Sequence, residues 1–229
     1  MEQLFNGFTL ELPRGTFPLS TDSMLLSGFV RLPKQATVLD LGSGCGTLGH
    51  LLCAGDPNCT VTGIELDEQA HLAALENIRR NGLELRLSSI CADLRTIPQL
   101  IAPGSFHCCV SNPPYFSGGP ASQTHRAARR EDCCTLKELF TSAAWALRYG
   151  GDFFLVHRPE RLAEAIACAA DLQLEAKRLC LVRHKENGPI TLILLSFRKG
   201  GKPGLQIEEL CLFDSDNQPT QAYRELYHL

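Results

Sequence analysis

Val38-Leu39-Asp40-Leu41-Gly42-Ser43-Gly44-Cys45-Gly46 is the stretch on which the reading of this 229-residue chain turns. An apolar pair leads in, an acid follows, and then glycine stands at every second position. Glycine has no Cβ, so the backbone can turn tightly there and come close to a ligand. Apolar residues resume through Leu52, and the stretch therefore reads as strand, turn and helix. Alone, such a loop also suits dinucleotide-binding proteins. A pyrophosphate, however, favours a helix N-terminus with no carboxylate opposing it. Asp40, immediately before the loop, suits a ligand carrying an amino group and a sulfonium better than one carrying phosphates.

The same rhythm continues outward. Residues 61–64 form a short apolar strand ending at Glu65, 23 positions after Gly42. A carboxylate at that place grips ribose hydroxyls; without the loop upstream it would read as a solvated acid. Leu72, Leu75 and Ile78 give residues 68–80 helical spacing, with Asn81-Gly82 as the stop. Residues 85–90 are a third strand ending near Asp93, and residues 106–110 a fourth. That fourth strand runs into Ser111-Asn112-Pro113-Pro114-Tyr115-Phe116. Two prolines cannot continue a ladder, and each holds the preceding residue extended. The turn is therefore stiff, and it reads either as a plain connection or as a receptacle for a planar amino group.

Further along, residues 117–132 lack apolar periodicity and read as a loop carrying His125-Arg126 and Arg129-Arg130. Thr135-Leu136-Lys137-Glu138 spells a capping box for a helix with Leu136, Leu139, Phe140, Ala143 and Leu147 on one face. Gly150-Gly151 is expected to end it, and residues 153–157 form the fifth strand. A helix follows Pro159. Residues 177–182 and 191–197 read as antiparallel strands joined through Asn187-Gly188-Pro189, with a further short strand at 205–210. Upstream, residues 4–19 suggest a hairpin or lid, and Thr21-Asp22-Ser23 offer N-cap oxygens to an apolar helix over 24–30.

The expected fold is α/β: a doubly wound, mostly parallel, seven-stranded sheet with an antiparallel edge pair. Residues 1–35 form a lid and helix, and residues 36–229 the main domain. In such sheets ligands bind at the carboxyl ends of strands. The glycine loop, Glu65, Asp93 and Asn112 to Tyr115 all fall there.

Hydrophobic residues make up 44% of the chain, and no run approaches the roughly 18 apolar residues of a membrane span. The N-terminus lacks a signal-peptide pattern, so a cytoplasmic location is expected. A net charge of -3 counts mildly against nucleic acid as a partner, although basic residues cluster locally, as at Arg183-His184-Lys185 and Arg198-Lys199 with Lys202. The 11 cysteines have irregular spacings and no Cys-x-x-Cys, which argues for small apolar residues rather than a metal site. Trp145 is expected in the core.

Residues 38–46 with Glu65, Asp93 and Asn112-Pro113-Pro114-Tyr115 together resemble the class I S-adenosylmethionine-dependent methyltransferases that act on planar nitrogens. The likeness extends through Thr21-Asp22 with Leu25-Leu26, the run from Arg126 to Arg130, residues 136–140, Pro159-Glu160-Arg161-Leu162, Arg183-His184 and Lys199-Gly200-Gly201. With these positions the chain resembles the bacterial tRNA1(Val) adenine N6-methyltransferase family. The resemblance implies a Rossmann-like methyltransferase fold, S-adenosyl-L-methionine as cofactor and an RNA partner, namely tRNA methylated at an adenine of the anticodon loop. It implies that Asp40, Gly42, Gly44 and Gly46 hold the methionine part of the cofactor, Glu65 its ribose and Asp93 its adenine. Asp93 reads equally as a turn or cap residue, and Asp22 as an N-cap. Arg126, Arg129 and Arg130 read equally as a solvated loop or as phosphate contacts, and no metal is implied.

The turn's chemistry follows from the residues themselves. An exocyclic amine on adenine is a poor nucleophile because its lone pair is conjugated into the ring. Accepting its two N–H bonds at the Asn112 side-chain oxygen and the Pro113 carbonyl orients it and enriches the nitrogen in electrons. Tyr115 would stack on the base, and positioning carries most of the rate. A glutamine amide meets the same acceptors, so a protein N5-glutamine methyltransferase is the alternative. Such enzymes usually carry a helical docking domain ahead of the sheet, and residues 1–36 here look like a short lid. A non-catalytic relative of the fold would have lost one of the glycines, Glu65 or Asn112.

Overall fold

Strands buried on both faces need consecutive apolar residues, and the helices covering them need one apolar stripe. Both patterns recur along this chain. Its computed structural model describes residues 2–4, 6–13, 20–113 and 134–227, so Tyr115, Arg126, Arg129 and Arg130 lie outside the described residues.

β1 (Glu2–Gln3) and β2 (Thr9–Leu10) pair antiparallel as a small hairpin ahead of α1 (Thr21–Phe29). The alternating part begins with β3 (Thr37–Leu41), α2 (Thr47–Gly55), β4 (Thr60–Glu65), α3 (Glu68–Arg80) and β5 (Leu87–Cys91). A 3-10 turn and the short α4 (Ile97–Leu100) lead to β6 (Phe106–Ser111). After α5 (Leu136–Ala146) come β7 (Leu147–His157), α6 (Leu162–Ala170), β8 (Leu174–Lys185), β9 (Ile190–Lys199), β10 (Gln206–Phe213) and α7 (Gln221–Tyr227).

The main sheet has the order β10-β8-β9-β7-β6-β3-β4-β5. The α/β, mostly parallel expectation holds, with eight strands rather than seven. β8 and β9 are antiparallel as expected, but they do not form the edge: β9 lies between β7 and β8, and β10 runs parallel to β8 outside them. The cause is the burial each strand can bear. Leu192, Ile193, Leu194, Leu195 and Phe197 of β9 are all buried, which requires neighbours on both sides. β10 carries exposed Glu208 and Glu209, and charge suits an edge.

Successive side chains on a strand point to opposite faces, and each face of this sheet has its own core. Val38, Cys108, Val110, Phe154 and Val156 pack with α1, α2 and α3. Leu39, Cys109, Phe153, Leu155 and Phe197 pack with α4, α5 and α6, where Phe140 meets the Phe153 and Phe197 rings edge-on at 5.1 Å. The Cys108-Cys109 doublet is therefore split between two cores.

Local signals set several helix ends. Thr135 and Glu138 form both arms of the expected capping box. α1 is capped one residue earlier than the expected stretch, by Ser20, whose hydroxyl accepts from the Ser23 amide. Asp22 thus lies inside the first turn, where a carboxylate complements the helix dipole. α5 ends at Ala146, ahead of Gly150-Gly151, because Leu147 turns extended to pair with Phe106. Lys199 Nζ donates to the Ala144 and Leu147 carbonyls at that end. Trp145 is 37% exposed rather than core, with its indole N–H donating to the Ile101 carbonyl. Among the described residues, no helix is long and apolar enough to cross a membrane.

Candidate active site

Strand order reverses between β3 and β6: the chain first runs outward through β4 and β5, then returns to the other side of β3. A crevice opens outside the carboxyl ends of strands at such a switch point. The two strands are tied there by the fully buried Ser111, whose hydroxyl donates to the Leu41 carbonyl at 2.7 Å. Leu41 precedes the glycine loop and Ser111 precedes Asn112, so one hydrogen bond joins the starts of both motifs.

The loop is anchored to the neighbouring strand. The amides of Gly42 and Ser43 both donate to the Ile64 carbonyl, at 2.9 and 3.0 Å. Gly42 and Gly44 have φ of +75° and +55°, a region that penalises a side chain. A Cβ at either would meet open space, so the need for glycine there is conformational and the surroundings leave room for a ligand. The Glu65 carboxylate is held at both oxygens: Oε2 accepts from the Gly44 amide at 2.7 Å and Oε1 from the Asp67 amide at 2.8 Å. A carboxylate has about four acceptor sites, so two backbone donors fix its orientation and leave capacity for a diol.

Asp40 is 1% exposed, and its Oδ2 has no hydrogen-bond partner among the described residues. Burial, and then the charge of Glu65, push its pKa up to about 7, against a smaller pull from the Gly49 amide. An orphaned buried carboxyl oxygen beside an open glycine turn fits a ligand bearing positive charge.

Asp93 sits two residues beyond β5, on the same side of the sheet, with a different local role. It caps the 3-10 turn Leu94–Thr96 through the Arg95 amide at 2.9 Å, and the Arg95 guanidinium grips both its oxygens. That pairing holds its carboxyl below the ordinary carboxylate range. Asn112 is half-buried at the end of β6, and its Nδ2 donates to the Ser23 hydroxyl of α1 at 2.9 Å. Pro113 is buried behind it. The structure thus brings the glycine loop, Glu65, Asp93, Asn112 and Pro113 to one rim.

The basic clusters separate. Arg183, His184 and Lys185 end β8 on the rim that carries Asn112. Arg198 and Lys199 lie at the opposite end and do structural work: Arg198 pairs with Asp152 at 2.8 Å, and Lys199 serves the end of α5.

Sequence reasoning passed over Asn77. It is fully buried, although α3 otherwise turns Ala70, Ala74 and Ile78 inward. Its amide donates to the Cys45 carbonyl of the glycine loop at 3.2 Å and to the Glu11 carbonyl at 3.1 Å, and it accepts from the Glu11 amide at 2.8 Å. Asn81 does the same for Thr9, so α3 straps the N-terminal segment to the loop. A carboxamide on an apolar stripe was the available signal, since buried amides are kept only where they are satisfied. Asn77→Ala strands three backbone groups and is expected to lower stability by about 1–3 kcal/mol, read as a shift in urea midpoint with unchanged slope.

Residues 20–175 match the methyltransferase small domain family model. A tRNA1(Val) (adenine(37)-N6)-methyltransferase from Shewanella sp. (strain MR-4) is 30% identical over 91% of this chain and 89% of its own length. A protein of the same name from Photobacterium profundum is 29% identical over 89% and 87%. Among solved structures, a predicted O-methyltransferase from Agrobacterium tumefaciens superposes with a TM-score of 0.77 at 20% identity, over 91% of this chain and 96% of that one. A precorrin-6y C5,15-methyltransferase from Geobacter metallireducens gives 0.61 at 13%, over 83% and 95%. At those identities the likeness is one of fold. With the family model matching residues 20–175 and a methyltransferase relative 30% identical over 91% of it, the chain belongs to the methyltransferase small domain family and is an S-adenosylmethionine-dependent methyltransferase.

Proposed function

We propose that this enzyme methylates N6 of an adenine in tRNA, in the anticodon loop at the position that the relatives' names give as 37. The observation that carries the reading is the Asn112 amide, held by Ser23 and following Ser111, whose hydroxyl bonds the Leu41 carbonyl at the head of the glycine loop. S-adenosylmethionine, when bound, supplies an electrophilic methyl on a sulfonium. Asp40 and the glycine turn suit its methionine part, and Glu65 its ribose. Asp93 already takes the Arg95 amide and two guanidinium nitrogens, which leaves about one of its four acceptor positions for the adenine amine.

The chain's own residues then do the work on the acceptor. Asn112 Oδ1 and the Pro113 carbonyl take the two N–H bonds of the target amine, turning the nitrogen lone pair out of the ring. Tyr115 stacks on the base, a contact worth about 1–3 kcal/mol. Base entry requires unstacking, which a single-stranded loop permits cheaply. No strong base is required, because the nitrogen becomes acidic once methylated. Arg126, Arg129 and Arg130, which follow this turn in sequence, are the candidates for phosphate contacts, and a tRNA substrate makes the protein cytoplasmic.

The test is transfer from labelled cofactor to unmodified tRNA, followed by nucleoside analysis. N6-methyladenosine at one anticodon-loop position is expected. Label on a glutamine of a release factor, with none on tRNA, would give the chain the protein-methylating role instead.

A further inference from the structure

An asparagine side chain has two nearly isosteric ends, and only one of them can accept the N–H bonds of an amine. Rotated by half a turn, Asn112 would face the amine with its own NH2, donor against donor. Pro113 and its neighbours stiffen the backbone, but they leave this rotation undecided. The deciding partner comes from a distant helix. Asn112 Nδ2 donates to Ser23 Oγ at 2.9 Å, across 89 positions of sequence.

Ser23 is well placed to keep that contact. It is 6% exposed and sits in the first turn of α1, with its amide bonded to the Ser20 hydroxyl. Its own hydroxyl lies 3.4 Å from Ser20 Oγ; with the Ser23 proton directed there, Ser23 meets Asn112 as an acceptor, and a turned amide could bond Ser23 only by taking that proton from Ser20. The helix cannot drift. Met24 packs with Leu4, Leu10 and Leu51, and Leu25, Leu26 and Phe29 enter the sheet core. Arg178 holds the far end, donating to the Phe29 carbonyl at 3.0 Å.

We propose that Ser23 is a positioning residue that fixes the Asn112 amide with Oδ1 toward the substrate, so that the site accepts an amine and rejects a carbonyl at the same place. The proposal rests on the reading of Asn112 as the amine's acceptor. It predicts more than a loss of rate, because removing the hydroxyl frees the amide to turn and offer NH2 to a carbonyl oxygen.

The probes are two anticodon stem-loop RNAs, identical except that the target adenine is replaced in one by hypoxanthine, whose O6 stands where the amine was. Binding of both is measured with the cofactor product present, for the wild type, Ser23→Ala, Ser23→Thr and Ser23→Val. Wild type should prefer adenine. Ser23→Ala should lower that preference about three- to tenfold, the size of one neutral hydrogen bond. Ser23→Thr should restore it and Ser23→Val should not, a pair differing only in the hydroxyl. Equal weakening toward both RNAs, or an unchanged ratio in Ser23→Ala and Ser23→Val, would overturn the proposal. A wild type that shows no preference, and in a parallel assay with S-adenosylmethionine transfers no methyl to the adenine RNA, would instead overturn the proposed function.

Discussion

Asn112→Ala should lower the rate of methyl transfer roughly 10²–10³-fold, the cost of losing one preorganised hydrogen-bonding group in a reaction centre. Cofactor binding should stay at its wild-type value. The two outcomes separate because Asn112 follows β6, whereas the groups suited to the cofactor lie at the ends of β3, β4 and β5. On the proposed reading the amide oxygen acts only on the acceptor amine, and its bond strengthens as the nitrogen gives up its lone pair. Its removal therefore falls on the transition state more than on binding. Alanine also leaves the Ser23 hydroxyl without its Asn112 donor, a smaller loss at a partly buried site. Single-turnover methylation and cofactor calorimetry on the same preparation measure both quantities. A variant that keeps its wild-type rate would mean the amine is held elsewhere.

Much of this site is legible because its parts are announced locally. The apolar run before Gly42 and the run before Asn112-Pro113-Pro114 each end in residues that cannot extend a strand. α3 spans residues 68–80 as expected, between a capping Asp67 and an Asn81-Gly82 stop, but its inner face is Ala70, Ala74, Asn77 and Ile78, and Leu72 of the expected apolar spacing is exposed. Asp93 carries two readings in sequence, and it is Arg95, two positions on, that makes it a cap in the structure. The relations between distant small polar groups are not announced. Ser23 reaches Asn112 across 89 positions and Asn77 reaches Cys45 across 32, and neither pair leaves a period in the sequence. Strand order on the far side is similarly hidden. A hairpin of β8 and β9 follows from Asn187-Gly188-Pro189, but its insertion next to β7 depends on which strand can bury both faces. Trp145 shows the limit of reading by residue type: its ring is 37% exposed while its N–H donates to the Ile101 carbonyl.

Asp40→Asn should stabilise the cofactor-free protein at neutral pH and weaken cofactor binding at the same time. Burial and the charge of Glu65 raise this carboxyl from 3.8 to about 7 in the folded chain. Between those values the folded state keeps a proton that the unfolded state has released. Stability therefore falls as pH rises through the window, by about 1.4 kcal/mol per pH unit and roughly 4 kcal/mol in all, and levels off above 7. An amide does not titrate, so the variant should lose this slope and exceed the wild type most at pH 8. Binding runs the other way. An ammonium and a sulfonium favour the ionised carboxylate, so wild-type affinity should rise about tenfold from pH 6 to pH 8, with a proton released on binding at the acid end. Denaturant unfolding and calorimetry in buffers of different ionisation enthalpy read the two effects. If Asp40→Asn keeps the wild-type slope in both, the titrating group is another residue, and Asp40 is a buried acid with no part in holding the cofactor.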